Sequence, residues 1–147
     1  MSIIAERVGK AYPPIRYAIG REKVREYASA VGEINRIHFD VDAARAAGYP
    51  DVVAPPMFAV VYQMPAVMTA MLDPDIGVDY ARMVHGAQTF RWEEVAVAGD
   101  EMETIATFKD ITQRDGMGFY IFETVSKNQR SETVCTGTWT SIVRGVS

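Results

Sequence analysis

Hydrophobic positions fall into two regimes along this chain, a helical one before residue 72 and a strand-like one after it. Val24, Tyr27, Ala28 and Val31 recur at i, i+3, i+4 and i+7, which predicts a helix over 21–31 with a single apolar stripe. Arg21, Glu22, Lys23, Arg25 and Glu26 take its other side, and Gly32 supplies a stop. Residues 42–47 suit one or two further turns closed by Gly48. From Met57 to Leu72 the polar face disappears. Phe58, Val61, Tyr62, Val67, Met68, Met71 and Leu72 cover most of the circumference, so this segment reads as a buried central helix. Pro55 and Pro56 fit its start. Pro65 removes one backbone hydrogen bond and is expected to bend it.

After the Asp73-Pro74-Asp75-Ile76-Gly77 loop, a period of two takes over. Residues 81–92, 101–113, 118–128 and 133–144 are rich in β-formers. Thr104, Ala106 and Phe108 alternate with Ile105 and Thr107, and Tyr120, Phe122 and Thr124 alternate with Phe119, Ile121 and Glu123. Arg114-Asp115-Gly116 and Asn128-Gln129-Arg130 mark tight connections, which makes the last three strands an antiparallel meander. Residues 12–19 alternate loosely around Pro13-Pro14 and read as a short strand or extended arm. Helices followed by one long sheet define an α+β plan, an antiparallel sheet of about five strands wrapped around a central apolar helix. A length of 147 residues suits one domain over 1–147.

Composition narrows the partners. The chain is 48% hydrophobic and 23% charged, as globular proteins are. It carries a net charge of −4 and no long basic block, so nucleic acid is not an expected partner. Cys135 is the only cysteine and has no internal disulfide partner; its alternating surroundings make it a small strand residue rather than a nucleophile. The first ten residues lack a signal-peptide core, and the apolar run over 54–72 is broken by Gln63 and by prolines at 55, 56 and 65. A cytoplasmic location with no membrane span is therefore expected. Two distant histidines and one cysteine give no metal-ligand spacing, and there is no glycine-rich phosphate loop or Gly-x-Ser-x-Gly elbow. Neither a metal nor a cofactor is expected.

Chemistry concentrates in Gly32-Glu33-Ile34-Asn35-Arg36-Ile37-His38-Phe39-Asp40. Placed after a helix stop, this segment is a loop on which Glu33 and His38, five residues apart, can pair as acid and base. Asn35 either positions a water molecule or caps a turn. His85, on a strand, serves a structural hydrogen bond or a ligand contact. Arg82, Arg91 and Arg114 read as surface residues, with phosphate contact as the alternative.

The order of these residues resembles the Asp-x-Asn-Pro-Leu/Ile-His motif of MaoC-like hot-dog hydratases and dehydratases. Further stretches resemble the same group in the same order: Arg21 to Ala28, Ala43 to Pro50 with Val53-Ala54-Pro55, His85 to Trp92, and Val97 to Asp100. The nearest subdivision is that of the N-terminal dehydratase domain of fungal-type fatty acid synthase and the mycobacterial hydroxyacyl dehydratase subunits. The resemblance implies a hot-dog fold and a homodimer or a heterodimer with a related subunit. It implies a substrate that is an acyl thioester of CoA or an acyl carrier protein, hydrated as the 2-enoyl form or dehydrated as the (R)-3-hydroxy form. It places Glu33 and His38 as the catalytic pair, with Asn35, Met57, Phe58, Tyr62 and His85 toward substrate. The methionines at 57, 64, 68 and 71 are then core residues or walls of an acyl tunnel. Three positions depart from the motif: Glu33 replaces aspartate, Arg36 replaces proline, and Pro56 stands where a histidine usually precedes an oxyanion-binding glycine. Proline has no N–H, so that role falls to Met57 or Phe58 at the helix start. These departures keep open a non-catalytic acyl-binding subunit of a heterodimer, and the fold alone also admits a thioesterase.

Overall fold

The computed structural model describes residues 2–145, with side chains from residue 4 onward. The expected domain span of 1–147 includes Met1, Val146 and Ser147, which lie outside the described residues. In chain order the elements are α1 (Ser2–Ala5), β1 (Ile15–Ala18), α2 (Arg21–Ala30), a 3-10 turn over Arg36–His38, α3 (Val41–Ala46), a second 3-10 turn over Pro56–Phe58 running into α4 (Ala59–Met71), a third over Tyr80–Arg82, and strands β2 (Met83–Trp92), β3 (Glu101–Arg114), β4 (Met117–Lys127) and β5 (Thr133–Arg144). The strands form one antiparallel sheet in the order β1-β3-β4-β5-β2, with α4 against its inner face. This is the expected α+β, hot-dog arrangement. No helix among the described residues is long and apolar enough to cross a membrane.

Local chemistry accounts for the connections. Asp115 and Gly116 both adopt positive φ (53° and 73°), as the two central residues of a type I′ turn must, so β3 and β4 close in a tight hairpin. At the β4–β5 turn the Asn128 side chain accepts from the N–H groups of Arg130 and Glu132. Helix α2 ends one residue before the expected 31. Val24 and Ala28 are fully buried, but Val31 leaves the helical conformation and is 53% exposed, so the predicted stripe loses its last member. Helix α4 continues through Pro65.

Two apolar clusters make up the core. One joins Ala66, Val67, Ala70 and Met71 of α4 to Phe108, Tyr120, Phe122 and Trp139. The other joins Phe58, Ala59 and Tyr62 to Val24, Val52, Ala54, Met102 and Cys135. A polar seam runs between them. Gln63, fully buried on α4, donates through Nε2 to Ser126 Oγ and to the Cys135 carbonyl, both at 3.1 Å. Its Oε1 accepts from Thr124 Oγ1 at 2.6 Å, and Thr124 Oγ1 in turn accepts from Trp139 Nε1 at 2.8 Å. Ser126 Oγ also bonds Thr104 Oγ1 at 2.5 Å. Gly137 floors this seam: a Cβ there would lie 2.5 Å from Gln63 Oε1 and 2.6 Å from Thr124 Oγ1.

The N-terminal arm is latched to the far end of α4. Lys10 Nζ and the Tyr12 hydroxyl both donate to Asp73 Oδ2, at 2.5 and 2.6 Å. These bonds hold the Asp73 carboxyl at a pKa of about 2, below its ordinary 3.8.

Two outcomes follow from this packing. Gly137→Ala is expected to lower unfolding free energy by about 2–3 kcal/mol through overpacking and broken seam hydrogen bonds, measurable by denaturant melts; an unchanged midpoint would contradict the seam. Because the folded Asp73 pKa is depressed, its stabilisation is complete above the unfolded value and is lost as pH falls from about 4 toward 2. Thermal melts of Asp73→Asn should therefore show a shallower acid loss of Tm across that window than the parent chain.

Candidate active site

The helix stop sets the site. Gly32, at φ 78°, reverses the chain after α2, and the Glu33 N–H closes back on the Ala28 carbonyl at 2.9 Å. Asn35 then caps the Arg36–His38 turn, its Oδ1 accepting from the Ile37 N–H at 3.1 Å. Asp40 caps α3 through the N–H groups of Asp42 and Ala43. Two side-chain caps five residues apart hold the short segment that carries His38.

His38 is buried, 6% exposed. Its Nδ1 lies 2.6 Å from the Val53 carbonyl, which can only accept, so Nδ1 carries the proton and Nε2 presents a lone pair in the neutral ring. Glu33 Oε2 stands 3.7 Å from Nε2, beyond direct hydrogen-bond range. The Glu33 side chain is 36% exposed against 8% for His38, so the pair runs from solvent inward. The segment that orients the imidazole is itself stitched on both sides. Val53 N–H donates to the Ile37 carbonyl, Ala54 N–H to Ala96, and Ala98 N–H to Val52.

Beside His38 lies a cavity of about 390 Å³. Its walls are almost wholly apolar, drawn from Ile37, the 53–56 segment, Tyr62, Trp92, Val95 and Ala96, with Glu94 also on the lining. The Trp92 Nε1–H donates to the Pro56 carbonyl at 2.7 Å, tying the end of β2 to the start of α4 across the cavity.

Of the residues expected at the site, the structure brings His38 and Tyr62 to the cavity and Glu33 to His38. Four others are placed differently. Asn35 is exposed and its carbonyl oxygen is spent on the cap. Phe58 is fully buried, packed edge-on against Tyr27 with Tyr17 and Tyr62 nearby, because the 3-10 turn rotates it into the core. The same turn leaves Met57 48% exposed, off the cavity. His85 sits on β2 away from the cavity, stacked on Trp139 with centroids 5.7 Å apart and its Nε2 3.1 Å from Gln88 Oε1. Of the four methionines at 57, 64, 68 and 71, only Met71 is buried and none borders the cavity. The Phe58 N–H is also taken, by the Pro55 carbonyl at 2.8 Å, so the Met57 N–H is the donor left at this helix start. Arg36, at the motif's proline position, pairs with Asp40.

Tyr62 on the cavity wall has Cys135 as a packed neighbour. Burial raises the Tyr62 phenol far above its ordinary range, and burial pushes the Cys135 thiol up to about 11, so both stay protonated at neutral pH. That agrees with Cys135 as a packed strand residue. Trp92 and Glu94 were not singled out by the sequence. The one available signal was that Trp92 shares a strand face with Phe90, and it says nothing of the reach to Pro56.

A five-stranded antiparallel sheet around one helix, with an overhanging segment that orients a histidine, defines a hot-dog protein of the MaoC-like dehydratase type. A MaoC-like dehydratase of known structure superposes with a TM-score of 0.82 at 30% identity, over 96% of this chain and 43% of that one. One chain of the C-terminally truncated HadBC (3R-hydroxyacyl-ACP dehydratase) complex from Mycobacterium tuberculosis superposes with a TM-score of 0.80 at 23% identity, over 92% and 96%. The chain belongs to the family described as FAS1-like, dehydratase domain region, which it matches over residues 6–137. It is 42% identical over 141 residues to a UPF0336 protein of Saccharopolyspora erythraea, covering 95% of this chain and 90% of that one.

The placement of Asn35 makes a specific claim. Asn35→Ala should cost about 1 kcal/mol of stability for the lost cap, whereas Asn35→Asp, which keeps the accepting oxygen, should restore most of it; equal melts for both variants would reject the capping role.

Proposed function

We propose that the chain catalyses reversible hydration of 2-enoyl thioesters, or dehydration of (R)-3-hydroxyacyl thioesters, with Glu33 and His38 as the acid–base pair. The observation that carries this reading is the imidazole fixed by the Val53 carbonyl, with its Nε2 lone pair 3.7 Å from a carboxylate and beside an apolar cavity. At that separation one water molecule can hydrogen-bond both groups at once, from the apex of a triangle with ordinary bond lengths of about 2.8 Å. Nε2 or the carboxylate takes a proton from the water as its oxygen adds to C3, and the pair returns a proton to C2. One proton leaves water and one reaches carbon, so the pair ends as it began. The Met57 N–H at the helix start is the donor assigned to the enolate-like thioester oxygen. The apolar walls suit an acyl chain. CoA and an acyl carrier protein both present such a chain on a pantetheine arm.

A second copy or a related subunit completes the proposed assembly. Strand β2 is the long free edge of the sheet, and its exposed backbone groups and the apolar Val84 and Trp92 favour pairing. A catalytically silent subunit is the second reading, favoured by two observations: Glu33 does not line the cavity, and Pro56 and Phe58 provide no free N–H. In that case the isolated chain would be inactive and would gain activity only with a partner. A thioesterase, in turn, would release free thiol.

Mixing the purified chain with crotonyl-CoA should bleach the enoyl absorbance without releasing thiol. Glu33→Ala and His38→Ala should each slow this by at least about 10²-fold. Full activity in both variants would remove the pair from the mechanism.

A further inference from the structure

The lining of the apolar cavity is graded from buried to exposed. His38, Ala54, Tyr62 and Ala96 are buried, whereas Trp92, Glu94 and Val95 on the same lining are exposed, so these three stand at its mouth. On the hydratase reading the reacting carbons lie at the imidazole, on the buried side. The pantetheine arm ends in a nucleotide or in a whole carrier protein, and neither enters a space of about 390 Å³. The arm therefore leaves past Trp92, Glu94 and Val95.

The first polar group on that arm is a secondary amide, joined to the thioester sulfur through two methylenes. Its N–H gives up water as it passes an apolar rim, and an amide donor left without a partner there weakens binding. Acceptors at the rim are few. The Pro56 carbonyl already takes the Trp92 indole N–H at 2.7 Å, and the Val95 side chain is apolar. Glu94 is the one carboxylate on the lining. It makes no ion pair among the described residues: Glu93 beside it pairs with Arg91, and Arg130, close enough to feel the Glu94 charge, gives its Nε to Glu132. The backbone on either side of Glu94 is pinned. The N–H groups of Glu93 and Glu94 share the Val134 carbonyl of β5, at 2.9 and 3.4 Å, and the Ala96 carbonyl accepts from the Ala54 N–H at 2.9 Å. Only Val95 separates these anchors, so the carboxylate has a fixed base at the mouth.

We propose that Glu94 is a specificity-determining residue: its carboxylate accepts a hydrogen bond from the first amide N–H of the carrier arm when the thioester occupies the cavity. The inference rests on the hydratase reading and adds a polar contact outside the acyl pocket. CoA and a carrier protein present the same amide, so both satisfy it.

Two crotonyl thioesters that differ in one group test the contact. Crotonyl-N-acetylcysteamine carries the N–H; its 2-acetoxyethyl counterpart has an ester oxygen in that place. The parent chain should favour the amide in kcat/KM by about tenfold or more, the ordinary worth of a hydrogen bond to a charged group. Glu94→Ala should bring the ratio near unity, and Glu94→Gln, which keeps an accepting oxygen, should fall between the two. Glu93→Ala, which leaves the lining intact, should keep the parent ratio. A ratio that Glu94→Ala leaves unchanged, or that Glu93→Ala lowers as far, would overturn the contact. Calorimetry with the saturated butyryl forms of the same thioesters separates this result from the hydratase reading, since neither can be hydrated. A parent chain that hydrates nothing yet binds the butyryl amide about tenfold tighter than Glu94→Ala does removes the hydratase reading and keeps the contact. Equal or undetectable binding of that amide by the two chains removes the contact whatever the turnover.

Discussion

A carboxamide buried between a helix and a sheet costs several kcal/mol if any of its hydrogen bonds is missed, and Gln63 is buried completely. Its amide and carbonyl are met by groups from β4 and β5, and these are backed by Thr104 of β3 and Trp139 of β5. Such a group tolerates only one depth and one rotation of α4. Apolar packing alone would let a helix that is hydrophobic all round settle in several orientations, since one face is as good as another. The seam selects one, and the selection reaches the site. With Gln63 fixed, Tyr62 on the preceding position faces the cavity and the Pro56–Phe58 turn meets Trp92.

Much of the fold was legible because its elements obey simple periods. The 3.6 repeat of Val24, Tyr27 and Ala28, the unbroken apolarity of α4, and the Asp115-Gly116 hairpin turn each have a local physical cause. The misses share a different cause. Val31 kept the period but lay one residue past Ala30, the last helical residue, where the chain already turns toward Gly32. Phe58 and Met57 were expected toward substrate from their place at a helix start; in the 3-10 turn Phe58 points into the core and Met57 toward solvent.

The site divides along the same line. The Glu33–His38 spacing was visible because both residues sit on one short stretch between the helix stop at Gly32 and the Asp40 cap of α3. The tautomer of His38 was not, because it depends on the carbonyl of Val53, fifteen residues on, held in place by bonds to Ile37 and by the backbone bonds of Ala54 and Val52 to the 96–98 segment. Nor did any local pattern announce Trp92 at the cavity, since its hydrogen bond spans thirty-six residues. His85, expected to serve either a structural hydrogen bond or a ligand contact, bonds Gln88 and stacks on Trp139.

The two tryptophans give the molecule separable optical reporters. Trp139 is 1% exposed in the middle of the core, while Trp92 is 45% exposed at the cavity and anchored by its indole N–H. Indole emission shifts to longer wavelength with hydration, so the two rings emit at different positions in the same native spectrum. Displacement of water around Trp92 by an apolar ligand would move only the red component, whereas loss of the fold would move the blue one. Occupancy of the cavity and integrity of the core can thus be followed in one unlabelled sample.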